Sequence, residues 1–234
     1  MMSRVNNRLN LMTREERNRQ KKPVSIKNDA DGMIKRFNEN IENINRMFQA
    51  YDLLKKDREL DAAEDILRYQ IVYLMSALDF YMHELYSYGL LKIFQKQKKK
   101  TYRYLDYRVP LEVVEYALFD GENIMRYLKD SFIESNSSFT FMHPHRIKEV
   151  LHTISENTAF DLVEDKLKNE KYMKQNESLE SIIDQIYKRR NKISHQTDID
   201  HGETEKNEIS KKEVEKYVTI IHVMVEELHK LVCR

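Results

Sequence analysis

The sequence predicts an all-α fold, a bundle of long helices with shorter helices inserted in the middle. Apolar residues recur at steps of three and four along several stretches, which is the helical period. No stretch shows the sustained alternation of apolar and polar residues that is typical of a β-strand. Four Gly and three Pro in 234 residues also leave few sites for the tight turns of a many-stranded fold.

The first predicted helix runs from Met33 to about Lys56. Its apolar residues alternate at steps of three and four: Ile34, Phe37, Ile41, Ile44, Phe48 and Tyr51. This narrow seam suits packing along another long helix, within the chain or across a dimer. Residues 1–30 are basic and contain few large apolar side chains, so we expect a weakly ordered arm. The arm is either a solvated tail or a contact for RNA, and residues 31–234 are expected to form a single domain.

The second predicted helix is the centre of the bundle. Asp61 and Glu64 resemble an N-cap with a supporting acid at the third helical position. From there the helix continues to Gly89 or further and is apolar on nearly every side, as expected for a central element. Three polar residues interrupt the apolar run: Asp79, His83 and Glu84. They argue against a membrane-spanning segment.

Shorter helices are predicted within an insertion at about residues 97–175. Pro110 can start one of them, and Asp120 with Gly121 can end it. The predicted ranges are Leu111–Phe119, Ile124–Phe132, Pro144–Ile154 and 158–169. Two long helices follow, one from about Ser178 to His195 and a last one that opens with a capping box between Ser210 and Glu213.

A basic, tyrosine-rich stretch opens this insertion. The candidates for RNA binding in it are Lys98, Lys99, Lys100, Tyr102 and Arg103. Cations interleaved with aromatic rings suit single-stranded RNA, because phosphates pair with the cations and bases stack on the rings. A solvated loop explains the same stretch equally well.

The strongest functional signal lies at the end of the helix that starts near Ser178. Its apolar stripe passes through Ile186 and Ile193, and Arg190 occupies the stripe position between them. An arginine on a packing face is costly unless it is paired or faces a functional cleft. His195 follows, and histidine is the side chain that titrates nearest neutrality.

This combination suits RNA cleavage that needs no metal. A histidine can take the proton from a 2′-hydroxyl and protonate the leaving 5′-oxygen. Arg190 can hold the phosphate and stabilise its developing charge, while Asn191 can orient His195 or bind a phosphate oxygen. The structural alternative is that the arginine and the histidine complement the dipole at the end of the helix.

Helical geometry limits how these residues can meet. A helix turns about 100° per residue, so Asn191 and His195 share a face while Arg190 lies well round from His195. Either the helix ends near Ser194 and His195 swings, or two copies of the chain line one cleft in a symmetric dimer. Arg189 is also plausibly spaced from His195, but Arg190 is preferred because it lies on the stripe.

The polar residues of the central helix have two interpretations. Asp79 and His83 are four residues apart and share a face, which favours a satisfied pair in the core. Alternatively, Asp79 or Glu84 neutralises Arg190 where the two helices pack. We predict no metal site, since the histidines have no recognisable ligand spacing and Cys233 is the single cysteine.

Two segments resemble the HEPN domains (higher eukaryotes and prokaryotes nucleotide-binding). One is the pattern Arg190, Asn191, three residues, His195, followed by a polar loop and a long amphipathic helix. The other, Ser76–Leu85, is similar to the second-helix segment of the RiboL-PSP-like branch. The resemblance covers about residues 60–232. It implies a helical bundle, usually a homodimer, and in active members a metal-independent endoribonuclease with Arg190 on the phosphate, His195 in proton transfer and Asn191 as polar companion.

The leading hypothesis is therefore an endoribonuclease without a cofactor that cleaves RNA in a composite cleft of a homodimer. The resemblance also implies a role as a toxin or phage-defence effector, with an antitoxin or other neutralising partner. The alternative is a non-catalytic helical module that binds RNA or protein. The single cysteine and the lack of a secretory signal lead us to expect a cytoplasmic protein that does not enter a membrane.

Overall fold

A computed structural model describes residues 30–155, 158–200 and 202–233. These residues form nine α-helices with the following bounds: α1 Ala30–Lys56, α2 Leu60–Phe94, α3 Tyr102–Leu105, α4 Leu111–Phe119, α5 Ile124–Asn136, α6 Pro144–Ile154, α7 Ala159–Asn169, α8 Leu179–Gln196 and α9 Lys211–Cys233. A short 3₁₀ turn precedes α5, and the described residues contain one isolated β-bridge, between Ile199 and Lys206. The all-α prediction is confirmed.

The 35-residue helix α2 lies at the centre of the bundle. It packs along α1 and also contacts α5, α6, α8 and α9, which explains why it is apolar on most of its sides. The seam predicted for α1 is buried from Phe37 to Tyr51. At a rise of 1.5 Å per residue, α2 is roughly 52 Å long, so its two ends are far apart in the molecule.

The helix boundaries show where the sequence signals were right. The predicted range of α4 is correct, and α9 begins as predicted, with Ser210 Oγ accepting a hydrogen bond from the Glu213 amide at 3.2 Å. The predicted cap of α2 is wrong, because that helix begins at Leu60 and Asp61 lies inside its first turn. The cap position is held by Glu59, whose side chain makes no capping hydrogen bond.

Helix α6 crosses α2 at very close range. A Cβ atom added to Gly89 would fall within the side chain of Ile154, so this contact requires a glycine. The close approach brings the end of α6 against the C-terminal part of α2. It therefore fixes the position of the chain that follows α6 relative to the end of α2.

One hydrophobic cluster includes buried residues from α1, α2 and α4 to α9. The basic arm predicted for residues 1–30 lies outside the described residues except for Ala30, which begins α1. The domain boundary therefore stays a prediction. Within the described part of the chain, no helix is both long and apolar enough to cross a membrane.

Candidate active site at the end of helix α8

Helix α8 continues through the whole Arg190–His195 motif. It ends at Gln196 because the next two residues adopt left-handed conformations, Thr197 with φ 53° and Asp198 with φ 64°. The amide of Asp198 donates a hydrogen bond to the carbonyl oxygen of Lys192 at 3.2 Å and closes the helix. His195 therefore lies in the last turn of a regular helix, with its side chain exposed.

This geometry excludes one of the two arrangements predicted to bring Arg190 and His195 together. The helix does not end near Ser194, so His195 is not released to swing round. Five residues of helix separate Arg190 from His195, which places their side chains about 140° apart around the axis. Asn191 and His195 do share one side of the helix, about 40° apart.

Arg190 is a half-buried cation without a counter-charge in the described residues. Its Nη1 donates to Asn191 Oδ1 at 3.1 Å, and none of the described carboxylates lies within ion-pair distance of its guanidinium. Its Nε is buried and has no hydrogen-bond partner within the described chain. A guanidinium without a carboxylate partner can take a bound anion as its counter-charge.

Arg189 has a different environment from its neighbour. Its Nη2 donates to Asp198 Oδ2 at 2.8 Å and to the carbonyl oxygens of Asn207 and Glu208 at 3.1 and 2.9 Å. Because this guanidinium already has a carboxylate and two carbonyls, it holds the chain that follows α8. The Nε of Arg189 is also buried without a hydrogen-bond partner in the described chain, so the counter-charge is what distinguishes the two arginines, which spacing alone could not do.

Asp198 is the centre of this buried cluster. It is 0% exposed, and its Oδ2 also accepts a hydrogen bond from Arg68 Nε at 2.8 Å. Burial lowers the pKa of Arg68, but hydrogen bonds to Asp198 and Glu64 outweigh it and raise that pKa above its ordinary value. The Asp198 carbonyl accepts from the Asn207 amide and side chain at 2.9 and 2.8 Å. The cluster ties the end of α8 to α2 and to the loop before α9.

Sequence reasoning missed the roles of Arg68, Asp198 and Asn207. Arg68 did carry a signal, because it stands between Leu67 and Ile71 in the most apolar helix and is only 4% exposed. An arginine buried there needs a carboxylate partner. Nothing in the local sequence identifies Asp198 as that partner, since the two residues are 130 positions apart.

The polar residues in the middle of α2 are engaged away from Arg190. Asp79 Oδ1 accepts hydrogen bonds from the Phe141 amide at 2.5 Å and from Thr140 Oγ1 at 3.2 Å. Its Oδ2 lies 3.9 Å from His83 Nε2, so the two side chains are neighbours as predicted, but both are partly exposed and do not lie in the core. Glu84 pairs with Arg36 of α1 at 2.5 Å. The idea that Asp79 or Glu84 neutralises Arg190 is therefore wrong for the described chain.

A second histidine lies beside α8, on the side that carries Asn191. The ring of His143 meets the ring of Tyr187 edge-on, with centroids 5.2 Å apart, and its Nε2 lies 3.8 Å from Asp184 Oδ1. Tyr187 precedes Asn191 by one helical turn. No sequence pattern connects His143, which lies at the start of α6, with the motif on α8.

The basic stretch lies far from the motif. Lys98, Lys99, Lys100, Tyr102 and Arg103 all line one groove of about 800 Å³ near the C-terminal end of α2. The motif lies near the other end of α2, because Arg189 and Arg68 share Asp198. The part of α2 between Arg68 and Gly89–Phe94 separates the two places by roughly 30 to 40 Å. A single chain does not bring these RNA-binding candidates to Arg190 and His195.

The described residues contain no group of three or more His, Cys, Asp or Glu side chains that could hold a metal ion. Comparison with curated proteins found no match, and comparison with solved structures found none either. The sequence model of the RiboL-PSP-HEPN family matches residues 33–234, which is most of the chain and includes helix α8 with its Arg190–His195 motif. This match, on an all-helical structure, shows that the chain belongs to the RiboL-PSP branch of the HEPN family.

Proposed function

We propose that this protein is a metal-independent endoribonuclease that uses Arg190 and His195 in a cleft between two copies of the chain. HEPN domains are in general ribonucleases, which supports the reaction class. The observation that carries the proposal is the state of Arg190, a half-buried cation with no carboxylate partner in the described residues. A phosphate would supply the missing counter-charge.

The proposed reaction needs only proton transfer and charge stabilisation. His195 takes the proton from the 2′-hydroxyl as its oxygen attacks the neighbouring phosphorus. The bond from phosphorus to the 5′-oxygen breaks, and an imidazolium protonates that leaving oxygen. The products are a 2′,3′-cyclic phosphate and a 5′-hydroxyl. Arg190 stabilises the extra negative charge on the phosphate oxygens during the attack, and Asn191 holds the guanidinium in place.

The angle between the two side chains favours a composite site. Arg190 and His195 project about 140° apart from one straight helix, which makes it hard for both to reach one phosphate. In a two-fold dimer, Arg190 of one copy can face His195 of the other. We therefore propose a homodimer in which each active pair is formed between chains.

The test is cleavage of a mixed pool of tRNA and unstructured RNA in EDTA. Wild-type protein should cleave the pool, and Arg190→Ala and His195→Ala should each slow cleavage about 10²- to 10⁴-fold. His145→Ala and Arg46→Ala are matched controls, because both side chains are exposed and lie outside the site. The controls should cleave like wild type.

Two outcomes would reject the enzyme. If both site variants cleave normally, Arg190 and His195 are not the catalytic pair. If wild-type protein that is shown to be dimeric cleaves nothing, the alternative of a non-catalytic module that binds RNA or protein is favoured.

A role as a toxin or phage-defence effector follows from the same proposal. Expression of the wild type should then arrest growth, whereas His195→Ala at the same level should not. Such toxicity would also call for a neutralising partner, such as an antitoxin. Harmless wild-type expression, together with active protein in vitro, would count against the toxin role.

A further inference from the structure

The groove at the C-terminal end of α2 is a basic surface at a distance from the Arg190–His195 motif. One wall is formed by residues 98–103, and the other by the end of α6, the start of α7 and the end of α9. Its lining residues outside the basic stretch include His152, Ile154, Ala159, Leu162 and Leu231. The groove thus combines cationic side chains on one wall with apolar surface on the other.

The lysines of this groove have no counter-charge in the described residues. None of Lys98, Lys99 and Lys100 lies within ion-pair distance of a described carboxylate, and the part of the groove lining that the structure describes contains no Asp or Glu. Arg103 has only a long contact with Glu149, at 3.7 Å. By contrast, the lysines of α6 and α7 are paired: Lys148 with Glu180, Lys166 with Glu170 and Lys168 with Glu164.

Lys98 is the most enclosed of the three lysines. It is half-buried, and burial lowers the pKa of its ammonium group. Cys233 is nearby, but burial raises the pKa of its thiol to about 11 even though Lys98 and Lys92 lower it. The thiol is therefore neutral near pH 7 and does not balance the lysine. An anion bound in the groove would supply the absent counter-charge.

The basic wall is anchored to the fold rather than loose. Thr101 Oγ1 donates to the Thr153 carbonyl at 2.7 Å and accepts from the Tyr104 amide at 3.0 Å, which caps α3 and fixes it to α6. This anchoring argues against the interpretation of the stretch as a solvated loop. It holds the lysines and Tyr102 in a defined arrangement.

The groove also presents surfaces on which bases can stack. Tyr102 is 81% exposed, and Leu162 and Leu231 are 51% and 44% exposed. An aromatic ring and apolar side chains next to unpaired cations match a strand of RNA, whose bases and phosphates alternate along the chain. A free phosphate would use only the cations.

We infer that this groove binds a single-stranded stretch of the RNA substrate, at a distance from the Arg190/His195 site. The inference rests on the proposed function, because it assigns the groove to the same substrate. A separation of roughly 30 to 40 Å corresponds to about 9 to 12 phosphates at 3.4 Å each along a stacked strand. Only an RNA longer than this can occupy the groove and reach the motif of the same chain.

The test measures binding, so that it does not depend on cleavage. RNA in which every 2′-hydroxyl is methylated lacks the nucleophile and stays intact. Fluorescence anisotropy would compare 30-nucleotide and 5-nucleotide unstructured RNAs on the full chain. The variant replaces Lys98, Lys99 and Lys100 with Gln. The control replaces three lysines that are already paired with carboxylates: Lys35→Gln, Lys166→Gln and Lys230→Gln.

We expect the groove variant to bind the 30-nucleotide RNA at least about 10-fold more weakly at 0.1 M salt, while the control binds like wild type. Tyr102→Ala should also weaken binding, about 5-fold or more, because it removes a stacking surface. Matching thermal unfolding of the variants would exclude a folding defect. Equal affinities of the groove variant and the control would overturn the inference.

Two further comparisons separate the proposals. If the groove variant loses as much affinity for an RNA duplex as for a single strand, the assignment of the groove to single-stranded RNA is rejected. If wild type binds RNA through the groove but never cleaves unmodified RNA in EDTA, the inference of RNA binding is supported and the proposed nuclease activity is rejected. If cleavage occurs and the groove variant cleaves 30-nucleotide RNA as fast as wild type, the groove does not serve the substrate.

Discussion

Basic side chains lie near both ends of the central helix α2. They are paired with a carboxylate at one end, and they have no carboxylate partner among the described residues at the other. At the N-terminal end, Arg68 and Arg189 converge on the buried carboxylate of Asp198. At the C-terminal end, Lys98 and its two neighbours line an open groove without a described carboxylate. The first arrangement holds the fold together, and the second is suited to an anionic ligand. Whether a basic cluster in a sequence has a structural or a ligand-binding role therefore depends on the partners that the fold provides.

The same contrast occurs between two adjacent residues of α8. Arg189 has a carboxylate and two carbonyl partners, whereas Arg190 has one hydrogen bond, to the side chain of Asn191. Because both belong to the family motif region, only their partners show which one is free to bind a phosphate. We expect substitutions at the two positions to have different consequences, for stability at Arg189 and for activity at Arg190.

The largest predicted effect on stability follows from removing the shared carboxylate. Asp198→Ala removes the buried carboxylate that Arg68 and Arg189 share, leaving Arg189 with two carbonyl acceptors and Arg68 with the partly exposed carboxylates of Glu64 and Asp65. This loss should lower the free energy of unfolding by about 3 kcal/mol. Urea denaturation followed by circular dichroism measures this change. Asp200→Ala is the matched control, because this half-exposed carboxylate interacts with Lys192 and Asn207 at the surface and its loss should cost less than about 1 kcal/mol. Equal midpoints for the two variants would show that the cluster does not stabilise the fold.

A smaller loss of stability is predicted where α6 crosses α2. Gly89→Ala forces a methyl group into the side chain of Ile154 and should cost about 1–3 kcal/mol, although alanine favours a helix. Gly121→Ala is the control, since nothing lies within 4 Å of its added methyl group. It should stay within about 1 kcal/mol of wild type. A Gly89 variant as stable as wild type would mean that the two helices move apart at no cost.

The smallest predicted effect is a change in the salt dependence of RNA binding. It tests whether the unpaired lysines contact phosphates, as the paired ones cannot. Each phosphate contact to a single strand contributes about 0.7 to the slope of log affinity against log salt. Replacing Lys98, Lys99 and Lys100 with Gln should therefore reduce the slope by up to about 2. Titrations between 50 and 300 mM salt would measure it. An unchanged slope would mean that these lysines are not in contact with phosphates.

Local periodicity was sufficient to predict most of the helices. The seam of α1 and the range of α4 follow from the spacing of apolar residues and from Pro110. The predicted start of α2 is wrong because Asp61 resembles a cap, whereas the chain enters the helix two residues earlier, with Glu59 at the cap position after Arg58 with φ 65°. Cap signals describe side chains that can hydrogen-bond, and here the backbone turn decides the boundary.

The residues of the candidate site could be predicted from the sequence, but the contacts around them could not. The motif and its family resemblance identify Arg190, Asn191 and His195 as a group. The partner of Arg189 is Asp198, which adopts a left-handed conformation after α8 and is shared with Arg68, 130 residues earlier in the chain, so this cluster depends on tertiary structure. The same holds for the distance between the basic groove and the motif, which is set by the length of α2.

The composite cleft can be tested most directly by mixing two inactive proteins. Arg190→Ala and His195→Ala would be combined under conditions that allow subunits to exchange, and RNA cleavage would be followed in EDTA. A mixed dimer retains one pair of Arg190 and His195 on opposite chains. The account predicts that the mixture recovers activity, to roughly a quarter of the wild-type rate for random exchange, while each variant alone stays inactive. A mixture that is inactive despite demonstrated exchange would contradict a site that is shared between chains.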